Sequence, residues 1–207
     1  MNSKNLFANT LLFLGTPILY ILHPFKFYGA ENLPKGGGFI IASNHIFWLD
    51  AFYIALCSKK SVHFMAKSEL FRYPFFNWFF RSLKAFPVKR GYFDRQALKT
   101  ATEIIDSGEV LGIFPEGGIV TPDGKPTKAK WGVAYIAGVC KCDVVPVSIY
   151  SKKGKGPFKR ITIRFGEPIK FSQLNLGEHP RKSDYMSAAD YIMKKIITQW
   201  GKGNERD

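Results

Sequence analysis

The chain has 207 residues, 46% of them hydrophobic and 15% aromatic, with 30 Lys and Arg against 16 Asp and Glu for a formal net charge of +14. So apolar a composition excludes a disordered chain, and the length fits one domain, with no Ser/Gly/Pro linker or fixed-period repeat to divide it. Three cysteines, Cys57, Cys140 and Cys142, are too few for a disulfide framework and lack zinc spacing, which leaves reduced thiols of a cytosolic setting, while the surplus positive charge requires an anionic partner: nucleic acid, a phosphate-bearing substrate or a lipid surface.

In chain order, the first feature is the apolar run from Leu6 to Leu22, interrupted at Gly15, Thr16 and Pro17. A spanning helix needs about 20 apolar residues, so this shorter, broken run predicts a kinked or two-piece helical element over residues 1–25 that dips into one leaflet. A secretory signal peptide and an ordinary core helix are its rivals. The signal peptide is weakened by a basic region of Lys4 alone and by the lack of a small-x-small cleavage site before His23.

From residue 26 to residue 207 β-like and helical patterns alternate, which predicts an α/β domain with a central mixed β-sheet flanked by helices. Strands are expected at Lys26–Gly29, Phe39–Ser43, Val62–Ala66, Ala85–Val88, Val110–Phe114, Val144–Tyr150 and Arg160–Gly166. Helices are expected at Leu49–Ser58, Phe75–Leu83, Phe93–Ser107, Lys130–Val139 and Ser183–Trp200. The third helix follows Asp94, aligns Ala97, Leu98, Ala101, Ile104 and Ile105, and stops at Gly108. The last aligns Tyr185, Ala189, Ile192, Met193, Ile196 and Trp200, with Ser183 as its expected N-cap. Both stripes read as core packing, which leaves function to the loops at strand ends.

The positive charge falls into two blocks: residues 59–100 hold ten cations against two carboxylates, and residues 124–170 hold eleven against two. The first interleaves Arg72, Arg81, Lys84, Lys89 and Arg90 with Phe71, Tyr73, Phe75, Phe76, Trp78, Phe79, Phe80 and Phe86, a mixture suited to a membrane interface; taken singly, each aromatic also suits a core. Nucleic acid is set aside as a partner, because zinc-finger spacing and an RNA-binding aromatic octamer are missing and the apolar N-terminus would have no role.

After the strand Phe39–Ser43 the chain reads Asn44-His45-Ile-Phe-Trp-Leu-Asp50. A His at a strand end and an Asp in the first turn of the next helix can fold back on each other, so that Asp50 accepts Nδ1–H and frees Nε2 as a general base. No Ser or Cys nucleophile stands beside the pair, which implies that the substrate brings its own hydroxyl. The alternative is that Asp50 caps the helix and His45 is a hydrogen-bonded loop residue. After the strand Val110–Phe114 comes Pro115-Glu116-Gly117-Gly118, in which glycines free backbone N–H groups to face an anion or acyl oxygen and Glu116 supplies a fixed acceptor; alone it is an ordinary turn.

Taken in order, these motifs resemble the lysophosphatidic acid acyltransferase (1-acylglycerol-3-phosphate O-acyltransferase) family of the glycerolipid acyltransferase superfamily. The resemblance runs from about Phe27 to Ile169. FYGAENLPKGGGFIIASNHIFWLD is similar to the first family block, Lys67-Ser-Glu69-Leu70 with Pro74-Phe-Phe and Phe86-Pro-Val-Lys-Arg90 to the second, Phe114-Pro-Glu-Gly117 to the third and Val144-Val-Pro146-Val to the fourth.

The resemblance implies that His45 deprotonates a lysophospholipid hydroxyl while Asp50 orients and stabilises the imidazolium. The donor would be acyl-CoA or acyl-acyl carrier protein, a co-substrate rather than a cofactor, and neither metal nor organic cofactor is implied. Asn44, Glu116 and Gly117 would belong to the substrate site, Lys67 and Arg90 would face the acceptor phosphate or developing oxyanion, and Pro146 would shape the pocket wall. The family's third block continues Thr-Arg where this chain has Gly118 and Ile119, and an aliphatic residue cannot make an arginine's phosphate contacts. Either a nearby lysine of the second block supplies that charge, Lys128 among Lys125 and Lys130, or the acceptor differs. Phe47 and Trp48 either line the mouth of an acyl tunnel or pack under the sheet. The implied location is the cytoplasmic face of the cell membrane, monotopic or peripheral on anionic phospholipid, and the rival is a non-catalytic binder of anionic lipid.

Overall fold

The computed structural model describes residues 24–89, 91, 94–119, 125–152 and 160–203, together with Pro17, Tyr20 and Ile21. The element expected over residues 1–25 thus lies almost wholly outside the described residues, as does Arg90. Among the described residues, no helix is long and apolar enough to cross a membrane.

Seven strands form among these residues: β1 (Phe25–Tyr28), β2 (Phe39–Ser43), β3 (Val62–Lys67), β4 (Phe86–Val88), β5 (Val110–Ile113), β6 (Val144–Tyr150) and β7 (Ile161–Phe165). Between and after them lie α1 (Asp50–Ser58), α2 (Pro74–Ser82), α3 (Arg95–Asp106), α4 (Gly132–Cys140) and α5 (Lys182–Gly201). One sheet takes the order β1-β7-β6-β2-β5-β3-β4, parallel except where β6 meets β7. The expected mixed sheet and its flanking helices are therefore observed.

Strand alternation sorts the core into two layers. On one face of the sheet Ile40, Ala42, Leu111 and Ile113 pack against the stripes of α3, α4 and α5. On the other, Phe39, Ile41, Val145 and Val147 pack against Tyr53, Ile54 and Cys57 of α1. Burial there pushes the Cys57 thiol up to about 12, so it behaves as a small apolar side chain.

Two local expectations are corrected. The N-cap of α5 is Arg181 rather than Ser183, because the Asp184 carboxylate accepts the Arg181 N–H at 2.7 Å and satisfies the first turn from within. Pro146 is a buried member of β6 rather than a wall of the cavity described below. It is tolerated there because its missing N–H would point past the end of β7, where its carbonyl accepts the Gly166 N–H at 2.8 Å. Asp94 does cap α3, accepting from Ala97 N–H at 3.0 Å and from Lys89 N–H at 2.9 Å. These donors hold its carboxyl below the ordinary range and tie α3 to the chain leaving β4.

Candidate active site

From β2 the chain runs through α1 on one face of the sheet, whereas from β5 it runs through α4 on the other and crosses β2 to reach β6. Neighbouring parallel strands that send their chains to opposite faces leave a crevice at their carboxyl ends. His45 follows β2 and Glu116 follows β5, so the topology brings the two loop motifs together.

Asp50 is fully buried, and its Oδ2 accepts three hydrogen bonds: from His45 Nδ1 at 2.8 Å, Ile46 N–H at 2.6 Å and Phe47 N–H at 2.8 Å. The two amides can only donate, so Oδ2 is held as an acceptor and Nδ1 must present its proton to it. In the neutral tautomer that leaves Nε2 as the acceptor nitrogen of a ring that lines the cavity. Asp50 does not cap α1, whose N-cap Leu49 has no side-chain bond. Burial pushes the Asp50 carboxyl above its ordinary value, while the bond from His45, its charge and the two amides pull it back.

The imidazole is also held from its face. It stacks on Phe114 with centroids 4.0 Å apart and planes inclined by 13°, and Phe114 stacks in turn on Phe64 at 5.5 Å. Gly112 makes this possible, since a Cβ there would come within 2.3 Å of the Phe64 ring. Ring packing and the Asp50 bond together restrict the direction of Nε2.

Glu116 is a buried staple. Its Oε2 accepts the His45 N–H at 2.9 Å, and its Oε1 accepts the N–H and hydroxyl of Thr127 at 2.7 and 2.9 Å. Gly117 turns the loop at φ 77°, and its N–H is used within the turn by Phe114 O at 2.9 Å. The Lys130 side chain crosses Gly117, so a Cβ there would meet Nζ at 2.6 Å.

A cavity of about 1290 Å³ opens at His45 and runs between the sheet edge and α2. That exceeds an ordinary small-molecule pocket of roughly 300–1,000 Å³ and suits a long amphiphile. Phe52, Leu56, Phe79, Leu83 and Ile136 supply apolar wall, and Lys59, Lys60, Lys67, Lys84, Lys89 and Lys130 supply cations. Lys67 Nζ is 3.1 Å from Glu69 Oε1.

Of the residues singled out from sequence, His45, Lys67 and Gly117 line the cavity, with Asp50 and Glu116 directly behind His45. Asn44 does not reach the cavity wall, because its amide oxygen accepts from Ile149 N–H at 2.8 Å and its NH₂ donates to Ile149 O at 2.9 Å, joining the loop to β6. Lys128 is exposed away from the cavity, and of Lys125, Lys128 and Lys130 the one on its wall is Lys130. Exposed Trp48 lines the cavity, whereas Phe47 packs against the core. Sequence reasoning missed the Phe64–Phe114–His45 stack and the Thr127 bonds; Phe114 adjoining the Glu-Gly turn was the one available signal.

A histidine held by a buried aspartate at the carboxyl ends of an α/β sheet, above an apolar cavity with lysines on its wall, defines an enzyme acting on an amphiphilic substrate. Residues 24–150 match the model of the acyltransferase family, and the chain belongs to that family, as its sequence blocks implied. It is 31% identical over 175 residues to a 1-acyl-sn-glycerol-3-phosphate acyltransferase of Bacillus subtilis, covering 83% of this chain and 85% of that protein. It is 32% identical over 139 residues to a lyso-ornithine lipid O-acyltransferase of Brucella abortus, covering 62% and 50%. The fold is shared with the crystal structure of the 1-acyl-sn-glycerophosphate acyltransferase of Thermotoga maritima, at a TM-score of 0.73 and 23% identity over 98% of this chain and 82% of that one.

Proposed function

We propose that this chain transfers a fatty acyl group from acyl-CoA or acyl-acyl carrier protein to the free sn-2 hydroxyl of lysophosphatidic acid, giving phosphatidic acid at the cytoplasmic face of the cell membrane. The observation that carries the reading is the His45–Asp50 pair opening on the long apolar cavity, and the Bacillus relative supports the acceptor. Nε2 of His45 removes the acceptor's hydroxyl proton while Asp50 holds the imidazolium. The alkoxide oxygen attacks the thioester carbonyl, and the tetrahedral intermediate collapses with cleavage of the C–S bond. The thiolate leaves with the proton returned by His45, so no acyl-enzyme forms. Because the Gly117 N–H is spent in its turn, the oxyanion is assigned to the next amide, that of Gly118, a residue that lines the cavity, a role commonly contributing about 3 kcal/mol. Lys130 and Lys67 suit the acceptor phosphate, with Lys130 acting as a point charge near the position of the missing arginine.

A second reading, acylation of another lysolipid, draws on Ile119 and on the lyso-ornithine relative. One assay decides: thiol release and product formation by the native and His45→Ala proteins, with lysophosphatidic acid, glycerol 3-phosphate, zwitterionic lysolipid and lyso-ornithine lipid offered against each donor. Loss of transfer in His45→Ala with lysophosphatidic acid preferred supports the proposal. Preference for another acceptor transfers it to the second reading, and turnover unchanged in His45→Ala refutes the mechanism.

A further inference from the structure

Helix α2 has a composition that contact with water leaves unsatisfied. Its polar stripe is Asn77 and Arg81, one turn apart and joined by Arg81 Nε donating to Asn77 Oδ1 at 2.8 Å. Most of the remaining circumference is Phe75, Phe76, Trp78, Phe79 and Phe80. So wide an aromatic arc belongs in a core, yet no residue of α2 is buried. Phe79 and Phe80 line the cavity, whereas Phe75 is 67% exposed, Trp78 53% and the preceding Tyr73 66%. Phe75 touches Phe76 at 5.6 Å and Trp78 at 6.3 Å, so the rings form one patch. Trp48 and Leu70, both exposed, carry apolar surface onto the cavity wall.

A contiguous exposed patch of this kind marks an interaction surface, and its charges select the occupant. Arg72 and Arg81 are exposed beside the rings, with the Arg81 guanidinium 5.7 Å above the Phe71 ring, and neighbouring Glu69 is paired with Lys67. A second copy docking by two-fold symmetry would bring this cationic patch against another copy of itself. A leaflet places phosphates opposite the cations and lets the rings sit just beneath them.

We propose that α2 and Tyr73 dock on an anionic phospholipid bilayer, with Phe75 and Trp78 at headgroup depth, so that the cavity opens by Trp48 and Leu70 toward the leaflet that supplies its lipid substrate. The lipid nature of that substrate rests on the function proposed above, but the docking is read from binding and not from turnover, so either can fail alone.

The test uses the full chain with phosphatidylcholine vesicles, with and without phosphatidylglycerol, carrying bromine-labelled acyl chains that quench nearby tryptophan. Trp78→Phe should remove a large part of the quenching while Trp200→Phe removes little. Arg72→Gln/Arg81→Gln should weaken partitioning into anionic vesicles by about 20- to 30-fold, each cation near such a surface contributing roughly five-fold, with thermal unfolding unchanged. Quenching unaltered in Trp78→Phe, partitioning indifferent to the arginines, or binding equally strong without phosphatidylglycerol would each overturn the proposal. Failure to bind vesicles, with a dimer in sedimentation that Phe75→Ser dissolves, would assign the patch to a second copy and overturn it as well.

Discussion

Replacing Asp50 with Asn separates the electrostatic work of this residue from its geometric work. Its Oδ2 is fixed by the Ile46 and Phe47 amides at 2.6 and 2.8 Å, both obligate donors. An Asn side chain must therefore turn its carbonyl oxygen toward them and its NH₂ toward the Oδ1 position, which has no partner among the described residues. The same oxygen still accepts from His45 Nδ1, so the tautomer survives and only the charge opposite the imidazolium is lost. In the serine-protease triad the equivalent change costs about 10⁴ in kcat because the tautomer is wrong. Here the expected loss is that of one strong charge-assisted bond, about 2–3 kcal/mol, or roughly 30- to 150-fold in kcat.

Stability moves the other way. Burial holds the folded Asp50 carboxyl above its ordinary value of 3.8, so between the two values the folded state binds more protons than the unfolded one. The contribution of Asp50 is then complete below pH 3.8 and declines, by about 1.4 kcal/mol per pH unit, until the folded value is passed. Asp50→Asn lacks this decline and should gain on the native protein as pH rises through that window. The assays are steady-state thiol release at neutral pH and thermal unfolding of both proteins across the acidic range. A kcat loss near 10⁴ in a folded variant would show that the amide flips, unchanged kcat would reduce Asp50 to a loop anchor, and a stability difference that does not move with pH would refute the burial argument.

Gly112→Ala places a methyl group against the Phe64 ring and should disturb the stack supporting His45. Destabilisation of about 1–3 kcal/mol is expected, together with a lower kcat and a changed near-ultraviolet circular dichroism spectrum. Lys130→Met should raise KM for lysophosphatidic acid about tenfold without a matching fall in kcat, and leave KM for an uncharged lysolipid unchanged; Lys128→Met, as the control, should change neither.

Much of this protein was legible along the chain because the deciding signals are local. Alternating and helical patterns place all seven described strands and five helices, since each pattern depends on neighbours within a turn or a pleat. The His45–Asp50 pair was legible for the same reason, its partners lying five residues apart across one loop. Membership of the acyltransferase family follows from four short blocks in order, each readable without coordinates.

Tertiary structure decided what depends on residues far apart in sequence. Asn44 ties its loop to β6 because Ile149, 105 positions away, offers a peptide unit at hydrogen-bonding distance. Lys130, rather than Lys128, reaches the cavity because Pro115 O fixes its backbone beside Gly117. The +14 charge thereby resolves into side chains with separate positions: Lys67, Lys89 and Lys130 at the cavity, Arg72 and Arg81 beside exposed aromatic rings. Composition could require an anionic partner, but only the packing of the sheet and α2 determines which cations are near the site.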